Sequence, residues 1–392
     1  MNSAPMNTAP MNSAPRRNEA LAPVWKSWLV LLSNLTDPRY VSYRLRRRWA
    51  RFRGQPATRP VPWTGPATRS GDLSDLEVDL VYLWVSGQDP KHRAKRNRWL
   101  EQYGLPPKLF NPDVRYVEED ELRYSLRSVE AFAPWVRRIF IVTDDQVPTW
   151  LNVAHPKIRM VSQQGLIPRA EWSPTFNSVA IEAQLHLIPD LSEHFIHIND
   201  DFFLGQPVRK EDFFARLPDG RVVMRAMFSS DYANYDVWIT PAHQVSYTAH
   251  GRLWMYSYNN LKVLLEARRP WRKIRFADFH QAQSVLKSEL RRATEDFPRQ
   301  YEQTSASRFR NAYDINFLSL MRYRALDNGW AVPGTISHRF FPHESDLAEY
   351  RREDLPALFC INAGLGDEAL RENRPLARLF PTPSAFELQD TA

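Results

Sequence analysis

The chain of 392 residues contains a single cysteine, Cys360. One cysteine excludes an internal disulfide and any zinc or iron–sulfur site built from clustered cysteines, and it fits a reducing, cytosolic compartment. The apolar run near the N-terminus, Trp28 to Leu32, is far too short to span a bilayer. That run also starts too late for a secretory signal peptide and lacks the small-residue cleavage site. From these absences we expect a cytoplasmic protein.

Three motifs of well-known enzyme classes are missing as well. There is no GxxxxGK[ST] loop, no GxGxxG after a predicted strand and no GxSxG elbow. Without the first motif the chain is not a P-loop NTPase. Without the other two it has neither the dinucleotide-binding fingerprint nor the nucleophile elbow. The chemistry left to the chain is that of metal, histidine and arginine. This set suits phosphoryl transfer, which depends on positioning and charge neutralisation.

Positive charge is confined to one end of the chain. The formal net charge is +7, but residues 1–60 hold eleven basic and two acidic side chains, a net +9, which leaves −2 for the other 332 residues. A nearly neutral body, with neither zinc-finger spacing nor an RNP-type aromatic motif, argues against nucleic-acid binding.

The N-terminal part differs from the rest in composition. Residues 1–20 repeat MNSAP, MNTAP and MNSAP, so we expect them to be disordered. Residues 21–73 form a basic amphipathic segment followed by a Pro-rich linker. Within it, residues 24–53 interleave tryptophan and arginine. They either touch an anionic membrane, as a peripheral contact on the inner face of the cell membrane, or form a solvated basic helix packed on the body. We expect residues 74–392 to form one domain that carries the catalytic site.

From Leu76 onward the hydrophobic pattern predicts an α/β fold. The predicted elements are strands 76–85, 138–145 and 194–198 and helices 117–133, 178–188, 276–297 and 313–326. The alternation is typical of a doubly wound, mostly parallel sheet, Rossmann-like or GT-A-like, and the C-terminal half is predicted to be helical. Ligands of such sheets bind at the carboxyl ends of strands.

Asp200 and Asp201 follow the predicted strand 194–198, after Asn199 and before two phenylalanines. Two carboxylates at a strand end are a minimal site for a hard divalent cation, because Mg²⁺ takes oxygen ligands and fills other positions with water and substrate phosphates. The alternative is structural, with Asp200 capping the following turn and Asp201 pointing to solvent. The flanking pattern favours a Mg²⁺ or Mn²⁺ site.

Histidine and arginine supply further candidates. His280 lies near the start of the predicted helix 276–297 and is either a general base near neutral pH or a packed or surface residue. Arg308 and Arg310 are either a phosphate fork or a solvated basic turn.

A second arginine pair lies on the predicted helix 117–133. Arg123 and Arg127 are four residues apart and therefore share one helix face. They either grip phosphate or pair with Glu119 and Glu130 of the same helix.

Four stretches resemble the conserved blocks of the Stealth family of hexose-1-phosphate transferases, which includes bacterial capsule polymerases. The first is VDLVYLWVSGQDP (78–90), and the second runs through 121–152 and 174–205 and ends in HFIHINDDFFLG. The third spans FHQAQSVLKSEL to SRFRNAYDI (279–315), and the fourth is LFCINAG (358–364) with FPTPSAFEL (380–388). The second block is long enough to be highly specific, and the resemblance covers most of residues 78–388.

The resemblance implies roles for individual residues. It implies a donor nucleotide-sugar site formed by Trp84, Gly87, Asp89, Arg127 and Ser128. It further implies that Asn199, Asp200 and Asp201 contact the metal and the diphosphate and that Asn362 contacts substrate. The catalytic residues it implies are His280 and Arg310, at the reacting phosphate, and Asp201.

Two positions depart from the family pattern. The third block usually has a proline two residues after its histidine, where this chain has Ala282. The fourth usually continues Asn-Asp, where this chain has Asn362 and Ala363. If that aspartate binds metal or orients the acceptor in the family, this chain either substitutes another group, such as Asp367, or is slow.

Together these features predict a Mg²⁺- or Mn²⁺-dependent transfer of a sugar 1-phosphate from a nucleotide-diphosphate sugar to a carbohydrate hydroxyl, in exopolysaccharide or capsule synthesis. One alternative is a metal-dependent glycosyltransferase that releases nucleoside diphosphate. Another is a catalytically silent scaffold at a membrane surface. The expected partners are the sugar donor and the carbohydrate acceptor, and no nucleic acid is expected.

Overall fold

The structure is a computed structural model that describes residues 71–105, 120–227, 282–310, 314–334, 336–341, 343–361 and 374–389. Its strands are β1 (Val78–Leu83), β2 (Ile139–Thr143), β3 (Ile158–Ser162), β4 (His194–Asn199), β5 (Phe202–Leu204), β6 (Phe214–Arg216), β7 (Val222–Met227), β8 (Gln283–Leu286), β9 (Ala331–Gly334), β10 (His338–Phe341) and β11 (Leu358–Ile361). Its α-helices are α1 (Pro90–Gln102), α2 (Glu121–Phe132), α3 (Gln163–Leu166), α4 (Ser178–Glu182), α5 (Lys210–Phe213), α6 (Lys287–Asp296), α7 (Pro298–Ser305), α8 (Phe317–Asn328) and α9 (Pro375–Leu379). Short 3₁₀ helices occupy Ala170–Trp172, Leu185–Leu187, Glu344–Leu347 and Arg352–Asp354.

A five-stranded sheet forms the centre of the fold, in the order β3-β2-β1-β4-β8. The first four strands are parallel, and β8 runs antiparallel to β4 at the edge. Strand β1 takes the middle position because its run VDLVYL is apolar on both faces apart from one aspartate, and it is buried along nearly its whole length. The α/β fold with a mostly parallel, doubly wound sheet is confirmed.

The single charge inside β1 is compensated by hydrogen bonds. Asp79 is fully buried and accepts from Nε and Nη2 of Arg137, at 2.9 and 2.6 Å, and from the main-chain N of Ser192 at 2.8 Å. A buried carboxylate is tolerated when it is paired and hydrogen-bonded in this way. Asp79 lies at the start of β1, so this ion pair marks the amino edge of the sheet.

The strand order reverses direction at β1. Strands β2 and β3 extend the sheet on one side of β1, and β4 lies on the other. In doubly wound sheets, the crevice beyond the carboxyl ends at such a reversal holds ligands. Leu83, the last residue of β1, pairs with Asn199, the last residue of β4. The chain segments that follow these two strands therefore start side by side at the reversal point.

Two three-stranded sheets complete the described strands, in the orders β10-β11-β5 and β6-β7-β9. Strand β5 follows β4 after only two residues and pairs antiparallel with β11, with Phe202 opposite Cys360. The chain thus passes from the central sheet into a second sheet at Asp200 and Asp201. The pairing with β11 brings a distant C-terminal strand to this turn.

Two of the predicted helices are wrong in extent. In place of a helix over 178–188, α4 has five residues and is followed by the 3₁₀ turn Leu185–Leu187. The predicted helix 276–297 contains strand β8, and α6 begins only at Lys287. Val285 and Leu286 are fully buried beside β4, so sheet pairing overrides the helical spacing of this stretch. The described residues after 280 contain four strands, so this part of the chain is mixed rather than mainly helical.

The folded body includes the end of the predicted linker. Leu73 is fully buried in the core, and the main-chain N of Gly71 donates to the carbonyl of Arg216 at 3.2 Å. The predicted tail and the basic segment 24–53 lie outside the described residues. Within the described ranges, no helix has the length and apolar character needed to cross a membrane.

Candidate active site

The turn Asp200–Asp201 lies at the carboxyl end of β4, beside the reversal point of the central sheet. Asn199, the last residue of β4, and both aspartates are half-buried. Oδ2 of Asp201 lies 3.5 Å from Sγ of Cys360, and its main-chain oxygen accepts from the N of Ile361 at 3.0 Å. Oδ1 of Asp201 is buried too. The alternative in which Asp201 points to solvent is therefore wrong.

Both carboxylates influence the groups around the turn. Burial raises the pKa of the Cys360 thiol well above its ordinary value, and the charges of Asp201 and Asp200 raise it further. Burial likewise raises the pKa of Tyr82, to which the charge of Asp200 adds, although a hydrogen bond with Ser125 opposes the change. The turn therefore places two carboxylates where they are partly shielded from water. In such surroundings the attraction between a carboxylate and a cation is stronger than in bulk water.

Helix α2 holds the backbone that follows the turn. The Ser125 hydroxyl donates to the carbonyl of Phe202 at 2.5 Å, so it accepts from the Tyr82 hydroxyl, 2.7 Å away. One turn later, the Ser128 hydroxyl accepts from the main-chain N of Leu204 at 3.0 Å and donates to the carbonyl of Ser125. Ser128 is fully buried. Its observed contacts attach β5 to α2 and thereby fix the acidic turn.

The segment after β1 forms a tight hydrogen-bonded loop. Gln146 accepts from the N of Ser86 at 2.8 Å and donates through Nε2 to Oδ2 of Asp89 at 2.9 Å. Gly87 forms the turn between Ser86 and Asp89. Asp89 caps α1, because its Oδ1 accepts from the N of Lys91 at 2.8 Å. The hydrogen bond from Gln146 is the main reason why the pKa of Asp89 is lowered.

Trp84 is the first residue after β1 and lies at the reversal point. Its main-chain N donates to the carbonyl of Val142 at 2.9 Å, and its side chain is buried. The indole Nε1 is buried and has no acceptor within the described part of the chain. Buried N–H groups nearly always have a partner, so this donor is open to one from a ligand or from residues outside the described ranges.

A charged cluster that the sequence patterns did not predict lies at the carboxyl end of β2. Asp144 follows β2, and its carboxylate lies 2.7 Å from Nδ1 of His92 and 2.5 Å from Nζ of Lys95. Burial alone would raise the pKa of Asp144, but the hydrogen bonds from His92 and Lys95 outweigh burial and lower it. The available signal was an aspartate directly after a strand, together with basic groups three residues apart in α1.

The two arginines of the predicted phosphate fork have separate partners. Arg308 is buried, stacks its guanidinium 3.8 Å from the ring centroid of Trp99, and donates to the carbonyls of Pro174 and Glu171. Arg310 is half-buried and donates through Nη2 to the Ser178 hydroxyl at 2.6 Å. Arg308 is thus neither part of a fork nor solvated, and only Arg310 keeps the candidate role.

Aromatic rings connect Arg310 to the end of β2. Phe309 stacks on Phe176 with centroids 5.2 Å apart, and Phe176 meets the ring of His92 edge-on at 5.5 Å. His92 in turn contacts Asp144. The third family-like block therefore packs against the second block, and through Phe176 it reaches His92 of helix α1 at the carboxyl edge of the sheet.

Arg123 and Arg127 both pair with a glutamate of the C-terminal segment, whereas Glu119, one of their predicted partners, lies outside the described residues. Arg127 donates to Glu387 through Nε (2.7 Å) and Nη2 (2.8 Å) and to the carbonyl of Phe380 through Nη1, while Nε of Arg123 donates to Glu387 at 2.5 Å. Burial alone would raise the pKa of Glu387, but the hydrogen bond from Arg127 leads the contacts that bring it to about 2. Both arginines thus hold the C-terminal segment against α2.

Several predicted site residues cannot be placed. His280, Asn362, Ala363 and Asp367 lie outside the described residues. The roles assigned to them, and the substrate contacts assigned to the other site residues, remain predictions.

The acidic turn fits a divalent cation through the chemistry of its donors. The described ranges contain no group of three or more histidine, cysteine, aspartate or glutamate side chains that could hold a metal. Mg²⁺ is commonly bound by one or two carboxylates, with water and substrate phosphates as the other ligands. Asp200 and Asp201 match that smaller set.

Three family models match the chain. They are Stealth protein CR1, conserved region 1, over residues 77–104, CR2, conserved region 2, over residues 115–220, and CR3, conserved region 3, over residues 280–323. The acidic turn falls in the second region, and Arg310 falls in the third.

Two relatives extend the match beyond these regions. The exopolysaccharide phosphotransferase SCO6023 of Streptomyces coelicolor is 38% identical over 80% of this chain and 53% of its own length. The exopolysaccharide phosphotransferase CpsY of Mycobacterium tuberculosis is 34% identical over 80% of this chain and 58% of its own length. The chain thus spans little more than half the length of these relatives.

A solved structure of mouse xyloside xylosyltransferase 1 in its apo form aligns with 73% of this chain and 97% of its own, at 11% identity and a TM-score of 0.34. A similarity this low carries no argument, and the fold assignment rests on the strand order itself.

Proposed function

The chain belongs to the Stealth family, and on that premise we propose that it transfers a sugar 1-phosphate from a nucleotide-diphosphate sugar to a carbohydrate hydroxyl during exopolysaccharide or capsule synthesis. The names of the two relatives, both exopolysaccharide phosphotransferases, support the reaction class. The observation that carries the proposal is the acidic turn Asp200–Asp201, which lies in a matched conserved region and at the reversal point of the sheet.

In the proposed reaction, the acceptor hydroxyl oxygen attacks the phosphorus that bears the sugar. A new P–O bond forms in line with the breaking P–O bond, nucleoside monophosphate leaves, and the anomeric C–O bond stays intact. We propose that the imidazole of His280 acts as the general base and takes up the proton of the acceptor hydroxyl. Arg310 holds the transferring phosphoryl oxygens, and its hydrogen bond to Ser178 restricts where the guanidinium can reach.

Asp200 and Asp201 would hold Mg²⁺ or Mn²⁺. When bound, such an ion would neutralise the diphosphate and the charge on the leaving group. Because the turn is partly desolvated, its attraction for a divalent cation would be stronger than in bulk water. A cation held by one or two carboxylates would also have positions for the phosphates of the donor.

The donor site is proposed at the loops after β1 and β4. The buried indole N–H of Trp84 is available to an acceptor group of the donor, and Asn199 ends the neighbouring strand. Asp89 and Ser128 contribute by fixing the chain after β1 and after β4, and Arg127 contributes by holding the C-terminal segment against α2. We also propose that Asn362 contacts substrate, and this assignment rests on the family resemblance, because the residue lies outside the described ranges.

The test follows the fate of phosphorus with purified protein, Mn²⁺, a panel of nucleotide-diphosphate sugars and a carbohydrate acceptor. A new phosphodiester resonance in phosphorus NMR, with release of nucleoside monophosphate, supports the proposal. Release of nucleoside diphosphate without a phosphodiester would identify a conventional glycosyltransferase. No release of nucleotide from any donor, together with binding to anionic vesicles, would favour the silent scaffold.

Asp201→Ala tests the assignment of the acidic turn. It should lower turnover by about a hundredfold or more, because a ligand to the cation is lost, while the folded state is retained. Asp219→Ala is a matched control, since Asp219 is exposed in the turn between β6 and β7 and binds only nearby Arg221 among the contacts seen. Near-normal turnover of Asp201→Ala would reject the metal assignment.

We also propose that residues 24–53 bring the enzyme to the inner face of the membrane. The support is the interleaving of tryptophan and arginine beside a short apolar run, which suits an anionic lipid surface.

A further inference from the structure

The thiol of Cys360 lies directly against the acidic turn. Its Sγ is 3.5 Å from Oδ2 of Asp201, and the cysteine is 1% exposed. An ionised carboxylate only accepts hydrogen bonds, so the thiol is the donor of this contact. Cys360 cannot move away easily, because sheet pairing holds it opposite Phe202, the residue after Asp201.

From this geometry we infer that Cys360 is a positioning residue, whose S–H hydrogen bond orients the Asp201 carboxylate to receive the divalent ion. The inference rests on the proposed function, since it concerns the ion of that reaction. A donor behind a carboxylate ligand restricts the side-chain torsions of the ligand, so less entropy is lost when the ion binds.

A direct bond from the thiol to the ion is not the explanation that the contacts favour. Mg²⁺ and Mn²⁺ are hard ions that select oxygen over sulfur. Cys360 also does not complete a group of three potential ligands with the aspartates in the part of the chain that the structure describes. The contact of the thiol is with the carboxylate, and its effect on the ion passes through Asp201.

The backbone of the turn is held by contacts that do not involve the thiol. The main-chain N of Ile361 donates to the carbonyl of Asp201 at 3.0 Å, and the Ser125 hydroxyl donates to the carbonyl of Phe202 at 2.5 Å. Removing the sulfur therefore leaves these backbone contacts in place and takes away one contact of the Asp201 carboxylate. A role in positioning can then be separated from a role in folding.

The experiment measures the affinity of the full chain for Mn²⁺ alone by calorimetry, and the Mn²⁺ concentration that gives half-maximal turnover. Cys360→Ala should weaken both by about tenfold, at the lower end of the range for partners of metal ligands, because a thiol is a weak donor. Cys360→Ser, which keeps a donor, should stay within about threefold of the wild type. Should the alanine variant fail to fold, Cys360→Val keeps the volume without a donor and should behave like alanine.

Leu358→Val is the matched control. Leu358 lies two residues earlier on the same face of β11, is equally buried and pairs with Leu204 rather than with the acidic turn. It should lower the melting temperature slightly and leave Mn²⁺ affinity unchanged. An effect on Mn²⁺ as large as that of Cys360→Ala would mean that any disturbance of β11 is sufficient, and it would overturn the inference.

Asp201→Ala separates this inference from the proposed function. Loss of Mn²⁺ binding in Asp201→Ala, with wild-type affinity in Cys360→Ala and Cys360→Val, would overturn the positioning role and leave the metal assignment intact. Normal Mn²⁺ binding in Asp201→Ala would overturn the metal assignment, and the role of Cys360 with it.

Discussion

Replacing Glu387 by glutamine should loosen the attachment of the C-terminal segment to α2. Glu387 is 3% exposed, and its carboxylate accepts from Arg127 twice, from Arg123, and from the main-chain N of Ser384 at 2.8 Å. A neutral amide fills the same volume but cannot balance two guanidinium charges. Removing one partner of a buried ion pair is costly because the remaining charge is left without compensation.

The size of the effect follows from the pKa of Glu387, which is about 2 rather than the ordinary 4.5. A difference of about 2.5 units at roughly 1.36 kcal/mol each corresponds to roughly 3 kcal/mol of stability. Because the pKa in the folded state is the lower one, this contribution is complete above about pH 4.5. It is lost as the pH falls toward about 2, where the carboxyl is protonated even when folded.

Urea unfolding of wild type and Glu387→Gln across this pH range tests the reasoning. The difference in free energy of unfolding should be about 3 kcal/mol near pH 7 and should shrink steadily below about pH 4.5. Glu302→Gln is the control, because the pair of Glu302 with Arg169 is about half-exposed on both sides and should contribute at most about 1 kcal/mol. A Glu387→Gln difference below about 1 kcal/mol, or one that does not change with pH, would refute the argument.

Two further predictions concern packing and location. Gly205→Ala should destabilise the fold by about 1–3 kcal/mol in thermal unfolding, because its Cβ would lie 2.2 Å from the carbonyl oxygen of Pro356. Gly165→Ala, whose Cβ would meet nothing within 4 Å, should leave the melting temperature unchanged or slightly higher. Deleting residues 1–60 should abolish binding to anionic vesicles without lowering turnover on a soluble acceptor. Vesicle binding that survives the deletion would contradict the proposed membrane contact.

Local signals were sufficient to predict the central strands and the acidic turn. The run Val78–Leu83 is apolar over strand length, so its burial in a parallel sheet is predictable without knowledge of its neighbours. Asp200 and Asp201 are conspicuous because a charged pair directly follows such a run. The position of a strand end is a local property, and the binding edge of the sheet follows from strand order.

Long-range pairing decided the elements that the sequence did not predict. The residues of β8 carry helical spacing, and they form a strand because β4 offers an edge on which their apolar side chains are buried. Similarly, β11 has only four residues, and its pairing with β5 joins parts of the chain about 150 residues apart. A short strand is stable only against a partner, so no local pattern can specify it.

The sequence by itself determined the α/β class, the location of an acidic pair at a strand end and membership of a recognisable family. Only the tertiary structure decided what each polar group contacts: Arg127 binds Glu387, 260 positions away, and Cys360 binds Asp201, 159 positions away. The physical reason is that a buried polar or charged group needs a hydrogen-bond or charge partner. Folding supplies that partner from whichever part of the chain it brings close, whatever the separation in sequence.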